Sequence, residues 1–112
     1  MDRGETIGRV GTDVRRELLD AAQAVERLAA VSTAGDWRLS GLLATRPEVV
    51  AHRGDGSTEH VAEARADSAR WIVAFSPAVA HPLADWLRAA AEAECVDTAA
   101  VAFARALRAR LP

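Results

Sequence analysis

The sequence predicts an α+β fold: a long N-terminal helix, a small two- to three-stranded antiparallel meander, then two to three C-terminal helices. Three observations carry this. Apolar residues recur at helical spacing between Thr12 and Val31. Between Gly35 and Ala64 the pattern changes to alternation, interrupted by Gly54-Asp55-Gly56-Ser57. Beyond Asp67 helical spacing returns, with a start signal at Ser76-Pro77.

In the first helix Thr12 or Asp13 can serve as cap, and Gly35 is the natural stop. Val14, Leu18, Ala21, Val25 and Leu28 follow one another at intervals of 4, 3, 4 and 3. That is a heptad seam over about two heptads, shorter than a sequence needs to specify a coiled coil. Two readings stand: an amphipathic helix packed on its own domain, or an oligomer interface formed by these five residues in a homodimer. Residues 1–11 carry Gly4, Gly8 and Gly11 among charges and read as a mobile arm. Residues 12–112 contain no repeat, low-complexity block or linker and read as a single α+β domain.

In the meander, Trp37-Arg38-Leu39-Ser40 alternates large apolar with polar, Thr45-Arg46-Pro47 is a break, and Glu48 to Arg53 is strand-like. Asp55-Gly56 supplies positive φ at low cost and marks a tight turn. Trp37, Leu39, Val49 or Val50, and Val61 are the expected inward residues. A turn centred between Asp55 and Gly56 pairs His52 with Glu59 and sends His60 to the opposite face; only a bulge or an odd-length loop brings the two imidazoles together. No metal site is therefore expected. The solvated hairpin offers Arg53, Asp55 and His60 as partner-binding candidates.

The stretch from Ala66 to Glu94 gathers the large side chains. Asp67 and Ser68 can cap a short helix through Trp71, Ile72 and Phe75. Ser76-Pro77 starts a second, whose stripe is Val79, Leu83, Trp86, Leu87 and Ala90. Pro82 either kinks that helix or marks where its regular part begins. Trp71, Phe75, Leu83, Trp86 and Leu87 are expected to dominate the core. Val96-Asp97-Thr98 opens a last helix with the stripe Val96, Ala100, Phe103, Leu107 and Leu111. Arg105, Arg108 and Arg110 crowd its end, where positive charge suits the helix dipole; Arg105 and Arg108 are further partner-binding candidates.

Composition narrows the classes. Hydrophobic residues make up 50% of the 112, too many for a disordered chain. The net charge of −2 argues against a generic electrostatic grip on nucleic acid or an anionic membrane. All fourteen basic residues are Arg, and Lys, Asn and Tyr are absent; AT-rich codons are avoided, which points to a high-GC genome and not to guanidinium chemistry. Cys95 is the only cysteine, so no intrachain disulfide can form. No apolar run spans a bilayer and the start is polar, so a cytoplasmic location is expected. No GxSxG, HExxH, CxxC or P-loop pattern occurs. No catalytic residue, metal or cofactor is expected.

The segments GDW (35–37), VAEA (61–64), ADSARWIVAFSP (66–77) and LADWLRAA (83–90) together resemble small accessory proteins encoded by phages and prophages. These include the lambdoid early-region accessory family and related actinobacterial and actinophage proteins. The resemblance covers about half the chain and rests on short, structural motifs. Members tend to have Asn-Pro or Asp-Pro where this chain has Ser76-Pro77; all three residues cap helices. Trp71 and Pro82 depart from the pattern. The resemblance implies a non-enzymatic accessory role linked to a phage or mobile element, often with a helical N-terminus that oligomerises. The leading expectation is a protein-interaction module, in concrete form an inhibitor that binds a host protein of an antiviral defence system. The alternative is a small nucleic-acid-binding regulator using the Arg-rich last helix. A third class, an enzyme or ligand-sequestering protein, needs a pocket lined by Trp37 and Trp71.

Overall fold

A computed structural model describes residues 11–41 and 46–111. The elements run α1 (Thr12–Val31), β1 (Asp36–Ser40), β2 (Glu48–His52), β3 (Thr58–Glu63), α2 (Ala66–Ala74), a 3-10 turn (Pro77–Val79), α3 (Ala80–Glu92) and α4 (Thr98–Arg110). This is the α+β order the sequence predicts, with three strands. The N-terminal arm lies outside the described residues, except for Gly11. The chain gathers into two compact units, one of residues up to Arg27 with those from His81 onward, the other Leu28–Ala80.

The first unit is helical. Its core is Leu18, Ala21, Ala22, Ala84, Leu87, Ala90, Ala91, Ala100, Val101 and Ala104, with Val14, Leu19, Val25, Val96, Phe103 and Leu107 packed partly buried against it. Alanine lets helix backbones approach closely and loses no rotamer freedom, but each buries little area. Among the described residues of this unit, only Leu18 and Leu87 are large side chains fully removed from solvent. Four seam residues of α1, Val14, Leu18, Ala21 and Val25, thus belong to the chain's own core. The oligomer-interface reading fails for Leu18 and Ala21, which have no exposed surface. Leu28, the fifth, is 46% exposed and falls in the other unit.

Three ion pairs tie these helices: Arg15 with Glu92, Glu17 with Arg105, and Glu26 with Arg88. Arg105 donates from Nε and Nη2 to the two Glu17 oxygens at 2.9 and 3.0 Å. Arg88 grips Glu26 with both Nη groups. These guanidinium hydrogen bonds, against a smaller cost of desolvation, hold the Glu17 and Glu26 carboxyls below their ordinary value of 4.5. A carboxyl depressed by folding contributes stability that is present above its unfolded value and lost as pH falls through the folded one. Thermal unfolding followed by helix circular dichroism should therefore show a lower midpoint at pH 3 than at pH 7. In Glu17→Gln/Glu26→Gln that difference should shrink; an unchanged difference would show that other carboxyls control acid stability.

α4 begins where Asp97 accepts the amide of Ala100 at 3.0 Å, so Val96 precedes the helix instead of opening it. Its buried face is Ala100, Val101 and Ala104, with Phe103 and Leu107 at the margins. Ahead of α3, Ser76 accepts the Ala78 amide and Pro77 takes the first position of the 3-10 turn. The turn is a separate piece, and regular helix begins at Ala80. Pro82 thereby falls in the first helical turn, where its missing N–H costs no bond.

The second unit holds the sheet, in order β1-β2-β3, both pairs antiparallel. Trp37 faces Ala51 and Leu39 faces Val49. Val49 and Ala51 are fully buried, and α2 packs on β1 and β2; this is the covered face. Trp37 Nε1 donates to the Thr33 carbonyl at 2.9 Å, which fixes the start of β1 against the end of α1. Of the alternatives Val49 and Val50, Val49 is the inward one. Val61 sits at a bulge: Val49 faces Ala62 while Val50 faces His60, so Val61 is the extra residue.

Candidate functional site

Three surfaces carry exposed chemistry. The first is α2. Its helix starts at Ala66 after Arg65, whose side chain makes no cap bond, so Asp67 and Ser68 lie inside the first turn and do not cap it. Ala69 is buried, Ile72 and Val73 half-buried, and Ser76 buried; their spacing of 3, 1 and 3 is one helix face. The opposite face holds Asp67, Arg70, Trp71, Ala74 and Phe75, all exposed. Trp71 is 67% and Phe75 55% exposed, their ring centroids 4.6 Å apart. The expectation that both rings lie in the core is overturned. Trp86 is also partly exposed, against Phe103 at 5.5 Å, while Leu87 is fully buried and Leu83 half-buried.

The sequence held a signal for this. Asp67 and Arg70, three apart, form an ion pair at 2.8 Å and so mark the solvent side. Trp71 lies four residues after Asp67 on that same side. Ranking residues by size alone selects the wrong face, because α2 is apolar on both.

The second surface is the hairpin. Five residues, 53–57, join His52 to Thr58, which face each other in register. The Gly56 amide donates to the Arg53 carbonyl at 3.0 Å, and Gly56 takes positive φ, as Asp-Gly predicts. The Ser57 hydroxyl at 2.6 Å, and then its amide at 2.8 Å, hold the Asp55 carboxyl below the usual carboxylate range. Arg53 pairs with Glu59. The odd loop corrects the expected pairing: His60 lies opposite Val50, so it shares a face with His52. His60 Nδ1 contacts Glu48 Oε2 at 2.6 Å. Among the described residues no group of three His, Cys, Asp or Glu side chains can hold a metal ion.

The third surface is a cleft of about 220 Å³ lined by Glu17, Asp20, Ala104, Arg105 and Arg108. Arg105 is committed to Glu17 and its guanidinium charge is held there. Arg108 is exposed and makes no salt bridge among the described residues. A second cleft of similar size holds Arg46, Pro47, Glu63, Ala64 and Arg65, with Arg46 and Glu63 3.5 Å apart. Neither places a nucleophile beside a base. Arg53, Asp55 and His60 thus come together on one hairpin, and Arg105 and Arg108 on one helix of the other unit.

Trp37 is half-buried on the covered sheet face and Trp71 points outward, so the pocket lined by both that an enzyme or sequestering protein would need is not formed within this unit. No helix among the described residues is long and apolar enough to cross a membrane. Compared with protein-family models, curated proteins and solved structures, the chain matches none.

Proposed function

We propose that the chain is a non-enzymatic protein-interaction module of phage or mobile-element origin, acting in the cytoplasm by binding a host protein and blocking it, as an inhibitor of an antiviral defence system does. The observation that carries this reading is the Trp71–Phe75 pair, rings in tilted contact, on the outer face of α2. Exposing two adjacent aromatic rings forgoes burial worth about 1.5–3 kcal/mol for each. Such rings are the side chains that dominate binding energy when a partner desolvates them. Asp67 and Arg70 neutralise each other beside them, which leaves apolar contact as the main attraction the face offers.

The nucleic-acid alternative draws less support. Arg105 is occupied by Glu17, and the open sheet face carries Asp36, Glu48 and Glu63 at positions facing His52 and one another. Carboxylates there repel phosphate.

The test is affinity purification from a high-GC actinobacterial lysate with the wild-type chain and with Trp71→Ala/Phe75→Ala. A host protein should co-purify stoichiometrically with the wild type, and its affinity for the double variant should fall at least about thirty-fold. Recovery of no stoichiometric partner, or of the same partner equally by both, would overturn the proposal.

A further inference from the structure

We infer that the outer edge of β1 pairs with the same edge of a second copy of this chain, antiparallel and centred on Trp37. β1 and β3 are the two edges of the sheet, and they differ. β3 carries the bulge at Val61 and exposed Glu59 and His60, devices that blunt an edge against further pairing. β1 runs from Asp36 to Ser40 in unbroken register with β2 and contains no proline. Its two charges, Asp36 and Arg38, are exposed and neutralise each other at 2.7 Å.

The hydrogen bonds of β2 show which backbone groups of β1 are open. The Arg53 amide donates to the Ser57 carbonyl at 2.9 Å, and the Ala64 amide donates to the Pro47 carbonyl at 3.2 Å. Pro47 and Arg53 thus turn their backbone groups towards β3. Along an antiparallel strand these groups alternate between the two neighbours. Glu48, Val50 and His52 therefore turn theirs to β1, where Ser40, Arg38 and Asp36 meet them in register. The N–H and C=O groups of Trp37 and Leu39 are left pointing out of the sheet. Among the described residues no other backbone group bonds to them.

Charge selects the occupant and its register. An antiparallel partner must set one outward-pointing residue opposite another. Centring the pair on Arg38 puts like charges opposite each other, which opposes pairing. Centring it on Leu39 leaves Arg38 opposite Ser40. Centring it on Trp37 sets Asp36 of each copy opposite Arg38 of the other, so the two-fold axis makes two opposite-charge pairs. The same register joins the Trp37 backbones by two hydrogen bonds and brings two half-buried indoles side by side on the covered face. The edge of β1 is thus complementary to itself, and two three-stranded sheets become one of six strands. A contact of about five residues on each side falls in the small, transient class of interface. It is independent of the α2 face and of what binds there.

Sedimentation velocity of the full chain tests this. Between about 10 µM and 1 mM the wild type should pass from monomer towards dimer. Asp36→Arg and Arg38→Asp, each alone, set like charges opposite each other and should weaken the association at least about tenfold. An equimolar mixture of the two variants should dimerise again, because the introduced side chains then face each other with opposite charge, and so do the remaining native ones. Trp71→Ala/Phe75→Ala should associate as the wild type does. A wild type that stays monomeric throughout, single variants that associate as tightly as the wild type, or a mixture that does not recover would each overturn the pairing. Loss of association in Trp71→Ala/Phe75→Ala alone would also overturn it and place the self-contact on α2. Both substituted side chains are exposed, and circular dichroism checks that each variant is folded.

Discussion

Leu87→Ala is expected to destabilise the helical unit by about 2–5 kcal/mol, the range for truncating a fully buried leucine. The upper part of that range is favoured by the neighbours. Seven of the ten core residues are alanine, and alanines cannot rotate longer side chains into the space left behind. Among the described residues of that unit, only one other large side chain, Leu18, is completely buried. Small domains hold only about 5–15 kcal/mol in total, so one truncation removes a large fraction. Trp71→Ala removes a larger side chain, yet is expected to cost no more than about 1.5 kcal/mol, the value of its aromatic contact with Phe75. Denaturant unfolding of the two variants followed by circular dichroism checks the contrast. If Trp71→Ala proved the more damaging, the assignment of Trp71 to an outer face would be wrong.

Gly35→Ala should be the most damaging of the glycine substitutions in the strand region. Gly35 has φ +118°, where an L side chain is strained by about 1–3 kcal/mol. A Cβ there would also lie 2.8 Å from the His52 carbonyl oxygen and 3.2 Å from its carbon. Both are backbone atoms of β2, so relief requires the strands to separate. Gly56→Ala meets strain at φ +86° but open space, and is expected to cost less. Gly54→Ala meets nothing within 4 Å and should stay within about 0.5 kcal/mol. Unfolding midpoints ranked Gly54, Gly56, Gly35 in order of increasing damage are the expected result. A Gly35→Ala variant as stable as Gly54→Ala would mean that β1 is not held against β2 as described.

The contrast between α1 and α2 shows where sequence reasoning succeeds. In α1 the interval pattern sits against clearly charged residues, and period alone identifies the inward stripe from Val14 to Val25, although it also counts Leu28, which is exposed. Which surface that stripe meets is a different matter: a seam of about two heptads fits a partner chain or the chain's own helices equally well. The pairing with α3 and α4 is fixed by residues far away in sequence, notably Glu92, Arg88 and Arg105. In α2 the period is equally clear but both faces are apolar. Ala69, Ile72 and Val73 form the covered side of this helix, which packs on β1 and β2, while Trp71 and Phe75 are left outside.

The hairpin divides in the same way. Asp55-Gly56 announced a turn with positive φ, and Gly56 has it. The loop length and the bulge at Val61 depend on the pairing of whole strands, and a one-residue change reverses every side chain beyond it. That reversal decided that His60 shares a face with His52 and reaches Glu48.

By itself, then, the sequence determined the order of elements, an antiparallel meander of two or three strands, the Ser76 and Pro77 start and the inward stripe of α1 from Val14 to Val25, because each rests on interactions among residues close in the chain. Only the tertiary structure decided which apolar face of α2 is left open, that Leu18 and Ala21 of the α1 seam are spent in the chain's own core, and how the hairpin registers. Those outcomes rest on packing and pairing between distant segments, about which local propensity carries no information.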